Sequence, residues 1–504
     1  MGYQHIAMLV TFAGYLVLLL FIGYLGDRKH SKSYEDFVSA GKSLGAWTTA
    51  LSSAASSESA WAILGLSGLG FFVGLPALWA VLGCVLGFVV NALFVIRQLR
   101  AESDRLGAIT LSDYIESRLN DKSKSLRIVS ALMITFFMGV YVVAQFVGAG
   151  KILYEMEIMG PGTSYQAGVA IGAIIVGVYI FMGGYAAVCW TDSVQGVLML
   201  LVMVGLPGYA LYLAGGPLTV WDILVGQQDA LAATSLLGWG GAGFIFAQAS
   251  VGMGYQGMPH MVIRYITVKD DKAAGAAGVI SVAWSAIALT GSAVLGITCR
   301  ALYPLNEAGC SVAGFCAENQ KAAESVISFF AMHSLHPVFA GLVLAAVSAA
   351  IMSTADSQLM YAATALVNDF WLRIRPTRLG HRQLVWATRG VVAAITAVAA
   401  VVALQEIKVI YSFVLFAWGA LGSAFTPIVL LSLYWKKFHR WGAMACMLAG
   451  PGSVVIWHMD GVKAALVQLD PTLYSGVFEL IPACGISALA GILVSAVGNR
   501  FDQK

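Results

Sequence analysis

From Ile6 to Leu25 no side chain carries a charge, and stretches of this length and kind recur along most of the chain. A helix needs about 20 apolar residues to cross the hydrocarbon of a bilayer. Inside lipid every backbone N–H and C=O must be satisfied internally. Repeated uncharged stretches of that length therefore predict an all-α, polytopic membrane protein. Composition closes the soluble alternative: Asp, Glu, Lys and Arg make up 11% of the 504 residues, against roughly 25% in a soluble domain. A chain so poor in charge could not cover its own surface in water. The first stretch is read as a retained span, not a signal peptide. No Lys or Arg precedes it, it is long for a signal core, and Asp27-Arg28-Lys29 follow almost directly.

Thirteen apolar segments can be drawn, centred near Val17, Ser57, Leu82, Thr135, Ile174, Leu200, Ala249, Ser285, Ala345, Val392, Val414, Leu448 and Leu489. An odd number puts the termini on opposite sides. With the N-terminus outside and the C-terminus in the cytoplasm, 24 of the 29 Lys and Arg fall in cytoplasmic segments or at their helix ends. That distribution follows the positive-inside rule and predicts a bacterial inner-membrane protein. Lys151, Arg300, Lys321, Lys408 and Lys463 stay outside, and so does the loop holding Cys310 and Cys316, which could pair if that side is oxidising. The loops are short, so residues 1–504 are expected to form a single transmembrane domain. The segment around Leu111-Ser112-Asp113-Tyr114-Ile115 is read as a short amphipathic helix on the cytoplasmic surface.

Two spans are unlike the rest. Leu51 to Trp61 holds five serines and Glu58, polar groups that bilayer depth tolerates only when they face protein or water. Ser250 to His260 holds Gly252, Gly254, Gly257 and Pro259 within eight residues, which predicts an interrupted helix. Leaving off an extra N-terminal span (6–27), the serine-rich span opens a first five-helix repeat (45–213) and the Gly/Pro span opens a second (235–434). Two C-terminal spans (439–498) follow. Matched breaks in two halves mark the substrate site of secondary transporters, and an odd helix count per repeat makes the halves inverted. A third polar cluster, Ala349 to Gln358, brings Ser353 and Thr354 together. Hydroxyls beside carbonyl oxygens suit a monovalent cation, although each could instead bond back to the i−4 carbonyl of its own helix.

Three runs carry a resemblance. Gly183-Gly184-Tyr185-Ala186-Ala187-Val188-Cys189-Trp190-Thr191-Asp192-Ser193-Val194-Gln195, Gly41-Lys42-Ser43-Leu44-Gly45 leading into Ala50-Leu51-Ser52, and Met352-Ser353-Thr354 with Asp356-Ser357-Gln358 resemble signatures of the sodium/solute symporter family. The likeness runs in order from the first span through at least the eleventh. It implies a leucine-transporter-type fold working by alternating access. The implied activity is sodium-coupled import of a small organic solute, an amino acid such as proline or a relative. Carried over, the Na+ ligands are backbone carbonyls of Ala55, Glu58 and Ala350 with the hydroxyls of Ser353 and Thr354. Asp192 would assist ion release; apart from the resemblance, Asp356 could feed the same exit path. The solute would lie against Ser57 and Ser59, with Val251, Tyr255 and Pro259 from the other broken helix. Two positions depart from the family's proline-carrying branch. Ser57-Glu58 replaces an Asp-Met pair, moving the carboxylate by roughly 100° around a helix, and Val251 replaces a Trp.

Single residues keep alternatives. Glu58 could bind a substrate ammonium, help hold sodium or carry a proton, or it could pair with a structural partner. Asp356 could cap the end of its span, and Asp192 could be an N-cap. His260 is read as structural. The competing functions are proton-coupled symport through Glu58, a polytopic membrane enzyme, or a transporter-derived sensor. No Ser/His pair or His cluster lies at a shared depth for an enzyme, and a sensor's output domain is not expected after the last span. Partners are the solute and the lipid bilayer, with no nucleic acid; subunit number is not legible.

Overall fold

The computed structural model describes residues 3–30, 33–157, 160, 162–227, 233–237, 241–306, 309–317, 319–376, 379–405, 410–469 and 478–501. Helices dominate these residues, and the β-pairings among them are isolated bridges such as Leu44 with Val268. In chain order the principal helices are α1 (Tyr3–His30), α2 (Ala46–Ser57), α3 (Trp61–Val73), α4 (Leu75–Leu106), α5 (Leu111–Arg118) and α6 (Ser125–Glu155). There follow α7 (Tyr165–Met182), α8 (Tyr185–Leu213), α9 (Gly241–Ser250), α10 (Pro259–Thr267), α11 (Asp271–Leu302) and α12 (Val326–Ser334). The chain continues with α13 (Pro337–Ile374), α14 (His381–Ala403), α15 (Ile410–Tyr434), α16 (Arg440–Trp457) and α17 (Leu480–Phe501).

Every predicted segment centre lies in a helix. Among the described residues nine helices are long and apolar enough to cross a membrane. The count of thirteen exceeds this because the broken spans come as shorter pieces, α2 with α3 and α9 with α10, and because α7 and α16, 18 residues each, are not among the nine.

Both breaks occur where the composition placed them. α2 ends at Glu58, whose backbone leaves the helical region at φ −93° and ψ 75°. The chain restarts as a single wide turn at Trp61–Gly65. In the second span a tight turn at Val251–Gly254 follows α9, and Pro259 is the first residue of α10, where its missing N–H is no loss. The glycines act through space more than through backbone freedom. A Cβ on Gly252 would lie 1.9 Å from the Gly83 carbonyl, one on Gly254 2.3 Å from the Trp418 ring nitrogen, and one on Gly257 2.2 Å from the Thr426 amide. α4 and α15 thus lie backbone-close to the second break, as small residues permit in lipid.

α1 is held against α8 and α13. Gln195 donates to the Tyr15 hydroxyl at 3.1 Å, and a Cβ on Gly341 would meet Thr11 and Met8. α16 and α17 pair through the Gly442–Ser495 contact and the Cys446 thiol, which donates to the Ser487 carbonyl. α5 departs from its expected setting. Leu111, Tyr114 and Ile115 are fully buried, and the helix is pinned by Arg127 to Asp113 (2.8 Å) and Glu116 (3.2 Å), with Arg373 also on Glu116. Arg127 extends the pinning to Asp369 of α13 at 2.7 Å. It is a buried tie rather than a free cytoplasmic surface charge. Cys310 and Cys316 are joined in a disulfide, and the other five cysteines are free and buried.

Candidate ion and solute site

α2 and α13 cross where the first helix is about to break. The Ser353 hydroxyl donates to the Ala55 carbonyl at 2.9 Å and to the Ala350 carbonyl at 3.3 Å, and the Thr354 hydroxyl donates to the Ser56 carbonyl at 3.0 Å. Neither hydroxyl bonds to its own i−4 carbonyl. Four of the five expected ligand residues, Ala55, Ala350, Ser353 and Thr354, are thereby gathered into one buried oxygen cluster. The fifth, Glu58, lies three residues on, and the carbonyl that Thr354 meets is Ser56's. Hydroxyls can turn to offer lone pairs instead of protons, so this cluster can exchange its internal hydrogen bonds for a cation.

Ser56 leads from that cluster to the next. Its hydroxyl donates to Asp192 Oδ2 at 3.0 Å, while Ser52 donates to the same oxygen at 2.7 Å. Asp192 stands inside α8, well past its N-cap Gly184 and fully buried, so capping does not account for it. Its partner is Arg264 of α10, 0% exposed, with Nη2 at 2.7 Å from Oδ2. Arg264 also donates to Ser52 (2.6 Å), Ser56 (2.8 Å), Ser357 (2.6 Å) and the His260 carbonyl. Asp356 is one residue before Ser357 and accepts from its hydroxyl at 3.2 Å. It lies mid-helix, since α13 continues to Ile374, and does not cap the span. One buried carboxylate, Asp192, thus holds the guanidinium close to the oxygen cluster, and a second, Asp356, is linked to the pair through Ser357. Arg264 is the one Asp, Glu, Lys or Arg between Gly241 and Val268. A lone charge in an apolar stretch was the signal available for it, and counting it as a cytoplasmic loop charge missed its role.

The residues expected to face the solute gather around the two breaks, and all are buried: Ser57, Ser59, Val251, Tyr255 and Pro259. The Tyr255 hydroxyl donates to Glu58 Oε1 at 3.0 Å, tying one break to the other. The Ser57 hydroxyl bonds back to Ala54 (2.8 Å), and Ser59 accepts from the Tyr141 hydroxyl at 3.4 Å. Val251 does not leave the wall without an aromatic ring. Trp418 of α15 donates to its carbonyl at 3.0 Å and stands edge-on to Tyr255, with ring centres 5.0 Å apart at 88°. Tyr141 and Trp418 are site residues that no local motif announced.

Residues 37–450 match the sodium:solute symporter family. The chain is 34% identical over 499 residues to a sodium/proline symporter of Staphylococcus aureus (strain USA300 / TCH1516), covering 97% of this chain and 93% of that protein. It is 32% identical over 500 residues to the osmoregulated proline transporter OpuE of Bacillus subtilis (strain 168), covering 99% and 96%. In fold it is similar to a Na+-coupled sialic acid symporter in a substrate-bound outward-open state, with a TM-score of 0.77, 17% identity and 98% of both chains covered. It is also similar to Mhp1, a nucleobase-cation-symport-1 family transporter, with a TM-score of 0.54, 13% identity, and 92% of this chain and 95% of that chain covered. The leucine-transporter-type fold is shared, and neither the enzymatic nor the proton-coupled reading is favoured. With its broken helices, its oxygen cluster and these likenesses taken together, the chain belongs to the sodium:solute symporter family, as a multi-pass membrane transporter that moves Na+ with a small solute.

Proposed function

We propose that this symporter imports proline or a closely related amino acid across the bacterial inner membrane, with its N-terminus outside and its C-terminus in the cytoplasm. The observation that carries the reading is the crossing of α2 and α13, where Ser353 and Thr354 meet the carbonyls of Ala55 and Ser56. A sodium ion held there by Ala55, Ala350, Ser353 and Thr354, with the Glu58 carbonyl closing the set, braces two helices that must separate during alternating access. Sodium thus favours one state of the transporter, and by linkage the solute tightens sodium by the same factor that sodium tightens the solute. The inverted halves, 45–213 and 235–434, supply the two arrangements. The solute sits between the breaks against Ser57, Ser59, Val251, Tyr255 and Pro259. On the inward side the ion is drawn past Ser56 toward Asp192 and Asp356. The membrane potential contributes about 2.3 kcal/mol per charge per 100 mV to the inward step. Proline is the named solute of the two relatives that the chain matches along nearly its whole length.

Purified protein in liposomes with an inward sodium gradient tests this. Labelled proline should accumulate, and Ser353→Ala should raise the half-saturating sodium concentration at least tenfold. An unchanged sodium dependence in Ser353→Ala would put the ion elsewhere. Failure of proline to enter or to compete would exclude the solute while leaving the ion site standing.

A further inference from the structure

Glu58 is 1% exposed and sits in the first break. Its Oε1 accepts from Tyr255, and its Oε2 is buried with no hydrogen-bond partner among the described residues. No ion pair among the described residues includes it, and Arg264, the guanidinium of the same core, is committed to Asp192. A carboxylate removed from water is tolerated when a cation or strong donors complete its shell. One hydroxyl does not complete it.

An aromatic cluster adjoins the same break. The Tyr255 hydroxyl is anchored on Glu58 and the Tyr141 hydroxyl on Ser59, one residue later. Trp418 stands edge-on to both, at 5.0 Å from Tyr255 and 6.4 Å from Tyr141. Gln145 lies one turn beyond Tyr141 on the same face of α6, and both its amide atoms are buried without a partner among the described residues. That face looks onto the break, because a Cβ on Gly148 would meet Ala60 at 3.1 Å. An acidic oxygen beside a Trp–Tyr cluster is a setting in which a substituted ammonium is bound, by ion pairing and by ring faces together.

We propose that Glu58 is a specificity-determining residue that takes the positively charged nitrogen of the solute, and that this ammonium, rather than a carboxylate, is the group a substrate must have. The Glu58 Oε2 atom pairs with the nitrogen, Tyr255 holds the carboxyl in place, and Trp418 and Tyr141 enclose the alkyl substituents. The inference rests on the reading that the solute sits between the two breaks. Secondary and quaternary amines lacking a carboxylate then bind, whereas a proline isostere lacking the nitrogen does not.

The test is thermal stabilisation of the detergent-purified full chain in sodium chloride and in potassium chloride, with proline, pyrrolidine, choline and tetrahydrofuran-2-carboxylate as probes. Sodium-dependent stabilisation by at least one ammonium probe, and none by tetrahydrofuran-2-carboxylate, is expected. Glu58→Gln should weaken that binding at least thirtyfold and Glu58→Asp by less. A cooperative thermal transition without ligand shows that both variants are folded, and because sodium meets only the Glu58 backbone carbonyl, loss of the stabilisation by sodium alone in Glu58→Gln would assign the side chain to the ion and overturn the proposal. Binding by Glu58→Gln within threefold of wild type would overturn the proposal, as would binding of the nitrogen-free isostere or of none of the ammonium probes. Ammonium binding that depends on Glu58 but is indifferent to sodium would keep this proposal and sink the coupled-site reading instead.

Discussion

Arg264 and Asp192 are each 0% exposed and 2.7 Å apart, and hydroxyls of Ser52, Ser56 and Ser357 contact both the guanidinium and Asp192 Oδ2. The pair joins α10, the half-helix after the second break, to α8, and through Ser56 to the helix that carries the first break. Removing one member leaves the other charge buried and unpaired, which costs roughly 3–5 kcal/mol. Arg264→Gln is worse placed than most such changes, because Asp192 and Asp356 then share Ser357 with no cation between them. It should lower the thermal midpoint of the purified protein sharply. Asp192→Asn combined with Arg264→Gln should recover a clear part of the loss, measured as a double-mutant cycle. Additive losses would show that the two do not act as a pair. Asp192 and the family's interest in it were visible in the sequence; its partner was not, since the two lie 72 residues apart and nothing local links them.

At the scale of elements, the second break is positioned by contact as much as by composition. Gly83 and Gly87 of α4 face Gly252, and Gly257 faces the α15 backbone at Thr426. Gly252→Ala puts a methyl 1.9 Å from the Gly83 carbonyl, a contact that only a backbone shift can relieve. Overpacking of this kind costs about 1–3 kcal/mol or more, and here the shift falls on the residues beside Tyr255. Gly252→Ala is expected to lower both the thermal midpoint and the rate of sodium-driven uptake. Gly390→Ala in α14, where a Cβ meets nothing within 4 Å, should change neither beyond about 0.5 kcal/mol. Equal behaviour of the two variants would remove close packing as the reason for glycine at 252. The sequence reading had the break right but credited glycine's helix-breaking tendency, whereas these glycines make room for neighbouring helices.

For the whole molecule the proposed orientation rests on where the charges lie. With the N-terminus outside, Lys122 is cytoplasmic and Lys321, close after the Cys310–Cys316 disulfide, is external, and both are exposed. In intact cells a membrane-impermeant maleimide should label Lys321→Cys, and Lys122→Cys only after lysis. The five free cysteines are buried and give little background. The reverse pattern would invert the topology and with it the sense of the ion path. Two of the cations counted for this orientation, Arg127 and Arg264, are buried ion-pair partners. The distribution holds without them because the remaining cytoplasmic Lys and Arg still outnumber the external ones several-fold.

The sequence by itself determined the solvent, the spans, the two interruptions and the adjacent hydroxyls of Ser353 and Thr354. Each is a local property: enough apolar length to cross lipid, a backbone that cannot stay helical, or neighbouring residues on one turn. Only the tertiary structure decided that Thr354 meets Ser56, that Arg264 belongs to Asp192, that Trp418 stands where Val251 leaves off, and that Glu58 has Tyr255 and no cationic side chain beside it among the described residues. The reason lies in the solvent. A helix in water declares its buried face by an apolar stripe, but in lipid the outer face is as apolar as the packed one. The rotation of each helix, and so the identity of its neighbours, is set by close packing and by a few polar contacts between residues far apart in the chain.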